Sequence, residues 1–162
     1  MANLTGRQIV ENGIITKADK QCIQQVGVDL QVLEIKEVLG GGVIPAEGKT
    51  KLSQYIDVPL VSRFDENHNE IKCWNLGSGT YDITLKQGCK IPNNQRLQIV
   101  QRSSLLRNGV ILASSMFDCG FETENIGTVM VVTKPITIDF EARVAQAYTT
   151  EVNKVADEDL YD

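Results

Sequence analysis

From residue 79 to residue 148 the chain is a succession of short alternating segments, each closed by a turn signal, and such a pattern folds only as β structure. Tyr81-Asp82-Ile83-Thr84-Leu85 puts an apolar side chain at every second position, as a half-buried strand requires. Turns are expected at Gln87-Gly88 and at Lys90-Ile91-Pro92-Asn93-Asn94. Leu97-Gln98-Ile99-Val100 predicts the next strand. It feeds residues 101–109, which read as a strand end, a short helical turn and a stop at Gly109. Strands follow at 127–132, 136–140 and 143–148. Many short strands at this spacing predict an all-β sandwich or jelly roll with little helix.

Upstream, Thr5 caps a short helix over residues 5–12, with Ile9 and Val10 facing inward. Residues 26–35 alternate as a strand, and Gly40-Gly41-Gly42 makes a flexible turn. Residues 55–75 carry mixed polarity and predict exposed strands around a hairpin at 67–69. With 162 residues, 42% of them hydrophobic, the chain can bury a core without a disulfide or a metal. A single domain is expected over 1–150, with an acidic, mobile tail over 151–162.

Several function classes fall away on residue inventory. Cys22, Cys73, Cys89 and Cys119 lie far apart with no Cys-x-x-Cys pair, so a zinc site is not expected. They read as reduced thiols of a cytoplasmic protein. His68, the one histidine, sits in the polar run Asp65-Glu66-Asn67-His68-Asn69-Glu70 and predicts a solvated loop residue, which removes histidine-dependent catalysis. A net charge of −5 argues against nucleic-acid and anionic-membrane partners, and no run reaches membrane-spanning length.

Two segments carry chemistry. Arg102-Ser103-Ser104, at a strand end, offers a guanidinium fork, two hydroxyls and backbone N–H groups to an anion; a capped turn with a surface arginine fits the same residues. Arg107 adds a second positive charge one helical turn on. In Met116-Phe117-Asp118-Cys119-Gly120-Phe121-Glu122, Asp118 is ionised at neutral pH and could serve as general base for a water beside a bound triphosphate. An ordinary hairpin with an aspartate at its turn also accounts for that segment.

The order of the pieces adds information. Asp29 comes first, then Arg102-Ser103-Ser104-Leu105-x-Arg107-x-Gly109, then Phe117-Asp118-x-Gly120-Phe121, then Ala142-Arg143-Val144-Ala145-Gln146. This series resembles the dUTPase/dCTP deaminase superfamily over about residues 26–148, and is most like the archaeal and phage-type dUTPases. The resemblance implies homotrimers of β-clip jelly-roll subunits with active sites at their interfaces. It implies dUTP as substrate, hydrolysed to dUMP and pyrophosphate, with Mg²⁺ held mainly by the substrate phosphates. On it, Asp118 activates the attacking water, and Arg102, Ser103, Ser104 and Gln146 contact phosphates. Phe121 packs on the deoxyribose and excludes a 2′-hydroxyl, while Asp29 supports the metal-bound water network. Arg107 belongs to the same motif and is shared with the deaminases.

A dCTP deaminase, or a bifunctional enzyme, is the rival reading. It requires a proton-shuttling glutamate on the strand at 127–132, where Gly127-Thr128-Val129-Met130-Val131-Val132 offers no carboxylate. A non-catalytic nucleotide-binding regulator is a third. The dUTPases related to common bacterial and eukaryotic forms end in a glycine-rich segment that closes over substrate, whereas residues 151–162 contain no glycine. Tyr161 is the one tail aromatic that could stack on a base.

Overall fold

A computed structural model describes residues 3–160. They form α1 (Gly6–Glu11), β1 (Ile15–Thr16), β2 (Val28–Gly40), β3 (Gln54–Asp57), β4 (Val61–Phe64), β5 (Glu70–Leu76), β6 (Gly79–Leu85) and β7 (Gly88–Lys90). Then come β8 (Gln95–Gln101), α2 (Ser103–Arg107), β9 (Val110–Leu112), β10 (Ser115–Phe117), β11 (Glu122–Thr123), β12 (Gly127–Val132), β13 (Ile136–Asp139) and β14 (Arg143–Glu151). Every strand pair is antiparallel.

The main sheet runs β10-β8-β14-β2-β6-β12-β9, with β3 added to the far end of β2. Its curl comes from β2, which changes partner along its length. Val28 to Gln31 pair with β14, Val32 to Glu37 with β6, and Lys36 to Gly40 with β3. The register slips between Val32 and Glu34, and such slips bend a strand. Two three-stranded sheets, β1-β7-β11 and β13-β5-β4, close the ends. Leu30, Ile35, Ile83, Leu85, Leu97, Ile99 and Met130 alternate inward and fill the space between these layers. The fold is all-β with two short helices, as the turn-punctuated pattern predicts.

Thr5 caps α1 through a reciprocal pair. Its hydroxyl accepts from the Gln8 N–H at 3.2 Å, and the Gln8 side chain accepts from the Thr5 N–H at 2.9 Å. The 65–70 turn closes on Asp65, whose Oδ1 accepts from the N–H groups of Asn67 and Asn69 at 2.9 Å each, with His68 at φ +59°.

Two local expectations are corrected. Gln87-Gly88 is not a surface turn: Gln87 is 0% exposed, and Gly88 begins β7. Gln87 Oε1 accepts from the Gln31 N–H at 2.8 Å, and its Nε2 donates to Gln31 Oε1 at 2.9 Å. Gly88 is required there because a Cβ would fall 2.4 Å from the Glu124 carbonyl oxygen. Second, β5 is not exposed throughout, since Cys73 and Trp74 turn into the core and Trp74 meets Phe140 at 6.0 Å. Val152 donates to the Asn94 carbonyl at 3.0 Å and Val155 to the Asn93 carbonyl at 2.9 Å, which lays the acidic segment against the β7–β8 turn. Tyr161 lies outside the described residues.

Candidate active site

β8 delivers Arg102 to the end of the main sheet. Its backbone is extended at φ −78°, ψ 146°, and its N–H still donates to the Val144 carbonyl of β14 at 3.1 Å. The chain then turns into α2, where Leu105 is buried and anchors the turn, leaving Ser103, Ser104 and Arg107 exposed. Asn108 Nδ2 donates to the Ser104 carbonyl at 2.8 Å, and Gly109 at φ +78° ends the helix. None of the described carboxylates pairs with Arg102 or Arg107, so both guanidinium groups are available to an anion.

Gln146 lies on β14 between Asp29 on β2 and Val100 on β8, in direct register with both. Alternation puts Gln146, Tyr148 and Thr150 on the same outward face as Val100, Gln98 and Arg96. A cavity of about 400 Å³ opens there, lined by Val26, Val100, Gln146 and Tyr148. Gly27 leaves the room for Gln146, for a Cβ on it would stand 2.8 Å from Gln146 Cγ. A larger cavity of about 500 Å³ lies on the other side of β14, against Arg63, Asp139 and Arg143, and touches the anion segment only at Ser104. Predicted phosphate ligands face both cavities, Gln146 the smaller and Ser104 the larger.

Asp29 is 2% exposed and is not free to face solvent. Its Oδ2 accepts from Gln24 Nε2 at 2.9 Å and from Arg143 Nη1 at 3.3 Å. Arg143, whose side chain is 39% exposed, also donates to the Gln21 carbonyl at 3.2 Å. A bulge between Arg143 and Ala145 frees this residue from the strand's alternation. Arg143 was not among the sequence candidates. Its signal was a cation three residues before Gln146 in the same run, and an acid at 29 needing a partner once buried.

Asp118 stands on a turn pinned from several sides. The Phe121 N–H donates to the Asp118 carbonyl at 3.2 Å, and Gly120 takes φ +84°. The Gly120 N–H donates to Ile91 at 2.9 Å, Ile91 donates back to Phe121 at 3.0 Å, and Cys119 Sγ donates to the Gln95 carbonyl at 2.9 Å. The Asp118 side chain is exposed, and the rings of Phe117 and Phe121 stack beside it at 5.2 Å.

One chain does not bring the carboxylate to the anion segment. Phe117 pairs with Leu97, near the start of β8, whereas Arg102 follows its end. Five residues at about 3.3 Å each separate the two by ~16 Å along the strand. Gln146 and Arg102 fall at one end, Asp118 and Phe121 at the other.

An antiparallel β fold with an arginine–serine anion segment and an exposed carboxylate on a rigid turn defines a nucleotide phosphohydrolase of the dUTPase-like fold, and the comparisons agree. No family model matches the chain. The deoxyuridine 5′-triphosphate nucleotidohydrolase of Methanocaldococcus jannaschii is 38% identical over 138 residues, 85% of this chain and 83% of that protein. Two proteins named probable deoxyuridine 5′-triphosphate nucleotidohydrolase also match. The one from Halobacterium salinarum is 35% identical over 80% of this chain and 74% of its own length; that from Aeropyrum pernix is 27% identical over 92% and 88%. The chain belongs to the deoxyuridine 5′-triphosphate nucleotidohydrolase family, archaeal type.

Solved structures share the fold. A 2′-deoxycytidine 5′-triphosphate deaminase from Agrobacterium tumefaciens superposes at TM-score 0.66 and 12% identity, over 93% of this chain; the chain spans about half of that one, 48%. A Staphylococcus bacteriophage 80alpha dUTPase superposes at TM-score 0.50 and 10% identity, over 91% of this chain and 97% of that one.

Proposed function

We propose that this protein is a dUTP diphosphatase that releases dUMP and pyrophosphate, with each site assembled from more than one copy of the chain. Its support is the disposition of acid and anion segment: an exposed Asp118 on a pinned turn after β10, beside the start of β8, and a half-buried Arg102 with exposed Ser103 and Ser104 past the end of β8. The chain is 38% identical over 138 residues to a deoxyuridine 5′-triphosphate nucleotidohydrolase. A second copy, in a homotrimer, supplies the missing half of each site.

Asp118 orients a water and takes its proton as the water attacks the α-phosphorus in line with the departing pyrophosphate. Arg102 and the two serine hydroxyls hold the phosphate oxygens as charge moves onto the leaving group, with Arg107 adding positive potential. Gln146 fixes the phosphate chain from the neighbouring strand. Phe121 covers the deoxyribose, and backbone groups of the Asp118 turn read the uracil. Asp29 acts through Arg143, holding that cation beside the larger cavity that Ser104 also lines. No group of three or more His, Cys, Asp or Glu side chains among the described residues forms a metal cage. Mg²⁺ would enter on the substrate's phosphates, where it would neutralise charge. The described residues contain no helix long and apolar enough to cross a membrane, and a cytoplasmic site of action fits four buried free thiols.

The deaminase reading lacks an acid. β12 presents Thr128, Val129, Met130 and Val131, while Glu122 and Glu124 lie off that strand, with Glu124 paired to Lys17 at 3.3 Å. The test is pyrophosphate release with Mg²⁺ from dUTP, dCTP, dTTP and UTP, with ammonia assayed on the dCTP sample. Release from dUTP alone, abolished in Asp118→Asn, is expected. Ammonia from dCTP would make the protein a deaminase, and silence on all four nucleotides a regulator.

A further inference from the structure

We propose that Phe117 is a positioning residue for the sugar pocket: its ring fixes the pose of Phe121 and so sets the preference for deoxyribose over ribose. This rests on the reading of Phe121 as the residue that covers the sugar. The backbone of the Asp118–Phe121 turn is pinned by three hydrogen bonds, between Phe121 and Asp118, Gly120 and Ile91, and Ile91 and Phe121. Those bonds place the Phe121 Cα but leave the two side-chain torsions of a half-buried phenylalanine undetermined. Discrimination against one hydroxyl is a matter of where the ring edge lies, so those torsions carry the selectivity.

One group set to hold them is Phe117. Its ring centroid lies 5.2 Å from that of Phe121, with the planes 21° apart, a stacked pair spanning the turn from one end to the other. Phe117 is itself held by β10, in register with the buried Leu97, and both rings rest on the hydrophobic core. It reaches the sugar only through Phe121. An alternating strand needs no aromatic at position 117 for its own sake; any apolar side chain would pack on the core there. What the phenyl ring adds is a flat face for its neighbour.

The test is kcat/KM on dUTP and UTP for the full-length protein and for Phe117→Leu, Phe117→Tyr, Phe121→Ala and the Phe117→Leu/Phe121→Ala pair. Leucine keeps apolar volume and loses the face. The dUTP-to-UTP selectivity ratio should fall roughly two- to twelvefold in Phe117→Leu, the range set by one aromatic pair. It should fall further in Phe121→Ala, and adding Phe117→Leu to that variant should change the ratio no more. Phe117→Tyr, which keeps the stacked ring, should retain the wild-type ratio. A Phe117→Leu protein that loses activity on both nucleotides equally, while Phe121→Ala shifts the ratio, would overturn the proposal and leave the sugar role of Phe121 standing. An unchanged ratio in Phe121→Ala would remove that role and the proposal with it.

Discussion

Gly27→Ala tests whether the approach of β2 to β14 sets the position of Gln146. A Cβ at residue 27 would stand 2.8 Å from Gln146 Cγ, 2.9 Å from its Cδ and 2.8 Å from the Ala147 carbonyl oxygen. Carbon atoms prefer about 3.5–4.0 Å, so something must yield by roughly 0.7 Å. The Gln146 side chain can swing away. The Ala147 carbonyl cannot, because β14 is hydrogen-bonded between β2 and β8 at that residue. Overpacking of this kind costs about 1–3 kcal/mol, so the urea midpoint should fall with the m-value unchanged. Gly27 has no positive φ, which makes the cost steric. Activity should fall as well, up to the loss in Gln146→Ala. A hydrogen bond to a charged group contributes about 1.5–3 kcal/mol, or roughly 10- to 150-fold in kcat/KM. The two substitutions should be non-additive in kcat/KM, since each removes the same contact. Gly77→Ala is the control, with nothing within 4 Å of its Cβ and an expected change within about 0.5 kcal/mol. A Gly27→Ala protein with unaltered stability and unaltered kcat/KM would refute the steric argument.

Three further outcomes are expected. Arg143→Ala strands the buried Asp29 with only Gln24 as partner. Full burial would make that cost about 3–5 kcal/mol, but Arg143 is 39% exposed, so about 1–3 kcal/mol is expected by urea unfolding, with Asp29→Asn in the same chain recovering part of it. Asp82 is pushed above the usual carboxylate range, chiefly by burial and further by Glu34, against the opposing pull of Lys36. The contribution of its neutral form is therefore present at low pH and lost as pH rises through the folded value. Asp82→Asn should raise the melting temperature at pH 7, an advantage that vanishes below about pH 4, where the aspartate is protonated. Burial lifts the Cys89 thiol to about 11 and raises Cys22 as well. Iodoacetamide at pH 8 should therefore leave Cys22 and Cys89 unlabelled in the native protein and modify them in urea.

The local features were legible because their causes are local. Thr5 and Gln8 announce a capped helix three residues apart, and the Val100–Gly109 stretch announces strand, turn and stop. Gln87 misled because a polar residue before glycine ordinarily marks solvent, whereas here it satisfies Gln31 across 56 positions of sequence. Trp74 was hidden by charged neighbours on an edge sheet. β9, β10 and β11 are two or three residues long, too short for any periodicity. The motifs named Asp118, Arg102 and Gln146, but no pattern reveals that β10 pairs with the opening of β8. That pairing is what sets the acid apart from the anion segment.

Because the Asp118 turn lies beside the start of β8 and Arg102 follows its end, each copy in the proposed assembly serves two different sites at once. A defective copy therefore harms its neighbours in a way that depends on which end is damaged. Asp118→Asn silences only the site facing its turn, and Arg102→Ala only the site facing its helix. Two variants inactive alone would regain a share of competent sites when mixed and reassembled, by simple counting of which ends meet. Dilution would act as a brake, since a lone copy carries both halves of the chemistry and can close neither.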